Sequence, residues 1–460
     1  MFWGLCSWGP GRRAACGGTR RAASGCVAVL TALLSAFSAA PAGAAGTAGV
    51  GGTYAYAPGA HPIGGATAAA DAATLEPGTT YRSSISKGGK VYYRLDLDAT
   101  TTTYTSVTAI PPAGATVSAT DGIKVSMQDA SGGPCSFSSA SYGAGGSPRP
   151  VTALAAREVA PGKTLCRTAG TYYVVVERRD SSGSSPDDWG LELWPVSEPP
   201  LETASASSGT GTPGSWDSSS PEPVTGEART RGGGSGYSGA RALGPGVWRV
   251  GLRPGQTLFY KVPVDWGQQL SAEAELSDAA DGHGYVSGAL DLDLDNPARG
   301  PVTDAALGYS GVRKAVALDP LPPVGYGNRQ AVLDQVSGMR FAGSYYLVVH
   351  LGARMADSFG TGPFEVTLRV GLRGSPASGP AYDGAPVPSG VFEVSARDRE
   401  AAAAGTGGTG GTGTGDIDAR DGRRPAPVAL AAGGIGAGTA LLLGLGVWTV
   451  IARRRAARVP

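Results

Sequence analysis

Apolar and polar residues alternate with period two along several short stretches of this chain. In residues 269–276, Leu270, Ala272, Ala274 and Leu276 fall on one side, and Ser271, Glu273 and Glu275 on the other. Residues 290–295 read Leu-Asp-Leu-Asp-Leu-Asp. Side chains of a strand point alternately to its two faces, so this pattern predicts half-buried strands. Further strands are predicted over Val91–Leu97, Leu258–Val264, Trp189–Val196 and Phe364–Val370. Two more carry Tyr-Tyr pairs followed by Val-Val, the composition of inner strands. No stretch between these strands has the spacing of an amphipathic helix.

The strand phrases occur twice. Residues 169–176 read Ala-Gly-Thr-Tyr-Tyr-Val-Val-Val, and residues 342–349 read Ala-Gly-Ser-Tyr-Tyr-Leu-Val-Val. Upstream, Leu75, Pro77, Gly78, Tyr92, Tyr93 and Arg94 answer to Leu243, Pro245, Gly246, Phe259, Tyr260 and Lys261. A duplicated unit of short strands joined by Gly/Pro turns predicts an all-β chain of two tandem β-sandwich or jelly-roll modules. Their expected bounds are residues 74–197 and 241–372.

Composition places the rest. Gly (74) and Pro (34) are abundant in these 460 residues and crowd between and after the repeats. Residues 45–73 read as a flexible segment, 198–240 as a Ser/Gly/Pro-rich linker, and 373–426 as a flexible stalk with a short helix around Ser395–Ala404. Charge is balanced, with 38 basic and 37 acidic residues, so no basic field invites nucleic acid.

The ends read as targeting signals. Arg12, Arg13, Arg20 and Arg21 precede an apolar run, Val27–Phe37, and a small-residue site at Ala42-Gly43-Ala44. That order predicts a secretory signal peptide over 1–44. Val428–Ile451 carries no charge and is followed by Arg453, Arg454, Arg455 and Arg458. This is a stop-transfer pattern: a transmembrane helix over 427–452 and a basic cytoplasmic tail over 453–460. The expectation is a single-pass type I protein of the cell membrane with extracellular modules. Gly434 and Gly438 form a GxxxG spacing, which the helix's many glycines explain as well as helix pairing does.

With the signal peptide removed, Cys135 and Cys166 are the cysteines that remain. An oxidising exterior favours a disulfide between them; two buried thiols are the alternative.

Each repeat resembles the bacterial pre-peptidase C-terminal domain (PPC). The resemblance rests on a strand ending in aromatic-aromatic-basic, a Gly-[Thr/Ser]-Tyr-Tyr strand, and a mid-module turn. That turn is Asp129-Ala130-Ser131-Gly132 in the first repeat and Asp295-Asn296-Pro297-Ala298-Arg299-Gly300 in the second. The resemblance implies a β-sandwich without catalytic residues of its own. Such domains accompany secreted proteases, and no protease domain accompanies these repeats.

Candidate chemistry is sparse. Alternation puts Asp291, Asp293 and Asp295 on one strand face, where three like charges are either solvated or bridged by a cation such as Ca²⁺. The resemblance points the same way, since some PPC domains bind calcium. Asp180-Ser181-Ser182-Gly183-Ser184 matches the DxSxS metal pattern of von Willebrand A domains, but a strand followed by a linker cannot build that fold, so a polar hairpin loop is expected. Trp189, Trp194, Trp248 and Trp266 could stack on sugars if exposed, or fill cores. His61, His283 and His350 sit in no HExxH arrangement, and no GxSxG, paired CxxC or P-loop motif occurs. No catalytic residue is assigned and no cofactor beyond calcium is indicated. The expected role is non-catalytic binding or scaffolding, with an envelope protein or the cell-wall polymer as partner. The alternative is an accessory membrane subunit of an envelope secretion or protease complex.

Overall fold

The computed structural model describes residues 54–160, 163–202 and 214–404. The expected signal peptide, transmembrane helix and basic tail lie outside the described residues. Among the described residues no helix is long and apolar enough to cross a membrane.

The chain is all-β. Eight main strands build the first module: Tyr81–Ile85 (β1), Lys90–Leu97 (β2), Thr102–Ile110 (β3), Gly122–Asp129 (β4), Pro134–Ser141 (β5), Val151–Arg157 (β6), Gly170–Arg179 (β7) and Trp189–Glu198 (β8). Eight build the second: Gly246–Leu252 (β9), Thr257–Val264 (β10), Gln269–Leu276 (β11), Val286–Asp295 (β12), Pro301–Tyr309 (β13), Lys314–Ala317 (β14), Gly343–Leu351 (β15) and Phe364–Arg373 (β16). The sheets run β1-β8-β3-β6 and β2-β7-β4-β5 in the first module, and β9-β16-β11-β14 and β10-β15-β12-β13 in the second. Numbered within each module, both orders are 1-8-3-6 and 2-7-4-5, the arrangement of a jelly roll. Even the register is shared: Leu95 faces Tyr172, and Val262 faces Tyr345.

Alternation explains the cores. Tyr93, Leu95, Val125, Met127, Val174 and Val176 are fully buried between the first pair of sheets. Tyr260, Val262, Leu292, Leu294, Leu347 and Val349 do the same in the second. Burial of one such aliphatic side chain contributes about 1.5–3 kcal/mol. All four tryptophans of the modules are buried, two at 1 % exposure and two at 9 %, so none presents a free ring for stacking on a sugar. Cys135 on β5 is bonded to Cys166 in the loop before β7, with Cα atoms 5.6 Å apart.

The expected boundaries shift. Residues 45–73 were to be flexible, yet from Tyr54 on they are packed. His61–Pro62 pairs in parallel with β1, and Ala73–Thr74 with β2. In the second module Arg229–Thr230, inside the expected linker, and Arg241–Ala242, at the expected start of the module, pair with β9 and β10 in the same way. Each repeat thus begins with a lead segment that adds two short edge strands. Its glycines hid it: a Cβ on Gly65 would lie 2.7 Å from Cβ of Val91, and one on Gly233 would lie 2.6 Å from Cβ of Leu258. Glycine is there because backbone runs against side chain, not because the chain is loose. The expected stalk is corrected likewise over its described part, up to Ala404. Val387 exchanges two backbone hydrogen bonds with Ser197, and Phe392 is 3 % exposed. A helix, Ala396–Ala404 (α1), packs on the second module, where Arg399 meets Asp265 at 2.5 Å.

Candidate functional site

The outer face of the β1-β8-β3-β6 sheet is where the modules meet. Tyr104 on β3, Ala156 on β6, and Trp194 and Val196 on β8 point away from their own core and cluster with Ala298, Phe341 and Phe392. The Phe341 and Phe392 rings stack at 4.3 Å, and Tyr104 meets Phe341 edge-on at 5.3 Å.

Charge pairs close around this apolar centre. Arg299 donates to Glu192 at 2.8 Å, Arg329 to Glu198 at 2.7 Å, and Arg340 to Glu158 at 2.5 Å. In each pair the first module supplies the acid and the second the base. Glu192 also accepts from the Tyr54 hydroxyl and the Ala57 N–H, and Glu198 from the hydroxyls of Tyr104 and Tyr382. Hydrogen bonds of this kind are what make a buried ion tolerable. The Arg299 guanidinium also lies 4.2 Å from the Trp194 ring centroid.

The turn that aims Arg299 is the mid-module turn of the repeat. The Asn296 side-chain oxygen accepts the N–H groups of Ala298 and Gly300, both at 3.0 Å. In the first module Asp129 accepts those of Ser131 and Gly133, the same positions two and four residues on. Gly132 sits in that turn at φ +85°, and its counterpart Arg299 at φ +59°.

Beside the junction lies a cleft of about 720 Å³, walled by both modules. Asp291, Asp293 and Asp295 lie on one face of β12, as alternation predicts, but that face is neither solvated nor a converging calcium site. The first module covers it. Arg149 reaches within 3.9 Å of Asp291 and 3.8 Å of Asp293. Asp295 accepts from the Tyr237 hydroxyl at 2.6 Å. Among the described residues no three His, Cys, Asp or Glu side chains are placed to hold a metal ion. The donor set does not fit calcium: one carboxylate is engaged by a phenol and two share a guanidinium. Burial, with the charges of Asp293 and Asp304, pushes Asp291 up to about 6 against the pull of Arg149. Burial also pushes Asp295 up to about 7, aided by Asp293 and opposed by the Tyr237 hydrogen bond.

Two polar groupings have structural duties. Ser147 of the first module and His350 of the second, 203 residues apart, meet at 2.8 Å from Oγ to Nε2. The other ring nitrogen lies 2.9 Å from the Thr257 hydroxyl, and Ser147 Oγ accepts the Ala353 N–H. Both side chains are buried, and burial, reinforced by the Arg149 charge, holds the imidazole well below its ordinary pKa. This is a neutral fastening between modules. The DxSxS segment is a hairpin loop, as expected. Asp180 accepts from Arg178 Nε and the Gly88 N–H, while Ser181 N–H and the Ser184 hydroxyl bond Asp121.

No protein-family model matches the chain, and no curated protein matches it in sequence. Solved structures similar to it include the CUB1-EGF-CUB2 domains of human MASP-1/3, at 8% identity and TM-score 0.14, covering 64% of this chain and 99% of that one. Another is the tandem CBM22 domain pair of a Paenibacillus barcinonensis protein, at 8% identity and TM-score 0.17, covering 61% and 82%. At such TM-scores the likeness is too slight to inform function.

Proposed function

We propose that the chain is a non-catalytic binding or scaffolding protein of the cell envelope. In this reading two PPC-like modules are held outside the membrane by the helix expected over 427–452, after cleavage of the signal peptide. The observation that carries it is the junction: buried Arg–Glu pairs fasten the modules into one unit with a cleft walled by both. Ser147 and His350, which meet across the modules, are held as a neutral pair by their own hydrogen bonds, which supports recognition over turnover. The partner is an envelope protein or the wall polymer.

The test is a crosslinking pull-down from intact cells, with the full-length chain and a copy lacking residues 427–460. Capture of one partner by both forms supports recognition by the modules. Capture by the full chain alone overturns that and favours an accessory membrane subunit of an envelope complex.

A further inference from the structure

We infer that the cleft between the modules takes an extended peptide carrying a lysine-like ammonium group. This deepens the envelope-binding reading, on which it rests, by naming the chemistry of the ligand.

Three features of the cleft converge on that ligand. The first is an incompletely bonded acidic floor. Asp291 is 7 % exposed, and its Oδ2 has no hydrogen-bond partner; Arg149 stops 3.9 Å away and spends its Nη1 on the Tyr142 carbonyl at 2.9 Å. Arg149 Nε is also without a hydrogen-bond partner. The second is an excess of negative charge. Asp293 on β12 lies directly opposite Asp304 on β13, and both line the cleft. Like charges placed opposite each other across a strand pair are unfavourable, and one guanidinium serves Asp291 and Asp293 together. A compact ammonium between Asp293 and Asp304 would relieve both. The third is the cleft's walls. Strands β5 and β13 are each the last strand of their sheet, and both line the cleft. An edge strand offers backbone N–H and C=O groups to an added strand. Tyr237, Phe259 and Val348 add apolar lining suited to an aliphatic stem.

The experiment uses the full chain and the peptide Thr-Val-Lys-Val-Thr-amide carrying fluorescein on its N-terminal amine in place of an acetyl cap, so that the lysine ammonium stays free, with a second peptide, labelled in the same way, in which norleucine replaces lysine. Saturable binding of the lysine peptide is expected. It should weaken about tenfold or more with norleucine, and likewise with the D293N/D304N chain. Asp293 is mostly covered and Asp304 is exposed, so Asp304→Asn alone serves as the milder variant, in which folding is preserved. Equal binding of both peptides, or none, overturns the inference. So does a calcium chloride titration that gives a heat abolished by D293N/D304N while neither peptide binds. Cell pull-down with D293N/D304N separates the two levels: undiminished capture of an envelope partner alongside failed peptide binding sinks the cleft and leaves the envelope reading standing.

Discussion

The two copies of the module make one turn in the same way and put it to different use. In the first, Asp129 folds the chain around Gly132, which points at open space. In the second, Asn296 folds it around Arg299, an L-residue in the left-handed region whose side chain reaches Glu192 of the other module. That conformation costs about 1–2 kcal/mol, which the buried ion pair and its stacking on Trp194 offset. The faces of the sheets differ in the same sense. Where the first module carries Lys124, Ser126 and Gln128 on β4, the second carries Asp291, Asp293 and Asp295 on β12, at matching register to Val175 and Val348. The copies agree inside and diverge outside, and the divergent positions are those that fasten the modules or wall the cleft.

Breaking the fastening gives the largest expected effect. Arg299→Ala leaves Glu192 buried without its cation and should destabilise the chain by about 3–5 kcal/mol in chemical denaturation. Arg299→Gly should cost about 1 kcal/mol less, because it also releases the left-handed strain. The reciprocal change, Gly132→Arg, should cost only about 1 kcal/mol, since that side chain meets nothing. Equal costs for Arg299→Ala and Gly132→Arg would show that the pair fastens nothing.

The disulfide belongs to the first module alone. Cys135 and Cys166 are 31 residues apart in sequence. On the chain-entropy model, Cys135→Ser with Cys166→Ser should cost about 3–4 kcal/mol. Calorimetry should show the loss as a lowered Tm that reductant reproduces in the parent chain and cannot reproduce in the variant.

Acidity distinguishes the modules next. Asp291 and Asp295 of the second have pKa values raised to about 6 and about 7. A raised carboxylate binds its proton more tightly folded than unfolded, so its contribution is complete below about pH 4 and is lost as pH rises through 6–7. His350, depressed by burial, works in the opposite direction: its contribution is lost as pH falls below its unfolded pKa, about 6.5. In the first module Asp121 is buried enough to be pushed upward, yet hydrogen bonds from Ser118, Ser184 and Ser181 hold it down to about 2, so its contribution is lost only below about pH 4. Asp295→Asn should therefore look worst against the parent near pH 4 and improve by about 4 kcal/mol by pH 8. A difference independent of pH would mean that Asp295 ionises normally.

Much of the fold was legible. The Tyr-Tyr phrases, the leucines of β12 and the two cysteines each carry a local signal, because a strand's inner face must repeat every second residue. The lead segments were not, since glycines that permit close approach look the same as glycines of a linker. The junction was hidden for another reason. Arg299 and Glu192 lie 107 residues apart, and no periodicity names a partner. One signal was available: an arginine stands where the duplicate has glycine, at a position whose geometry prefers glycine. The acidic face was legible as a face, but its covering by Arg149 was not.

The smallest prediction tests the cleft itself. Asp304 lies opposite Asp293, whereas the matching pair in the first module, Ser126 and Phe137, carries no charge. If the excess charge of the cleft awaits a cation, Asp304→Asn should stabilise the ligand-free chain by about 0.2–1 kcal/mol. Part of that gain should fade as salt rises from about 0.01 M to 1 M and the Debye length falls from about 30 Å to 3 Å. Phe137→Asn should show no such salt dependence. If Asp304→Asn instead destabilises the chain at every salt concentration, Asp304 is needed to hold Arg149 in place. The cleft would then be compensated from within, and its floor would have nothing to offer an ammonium group.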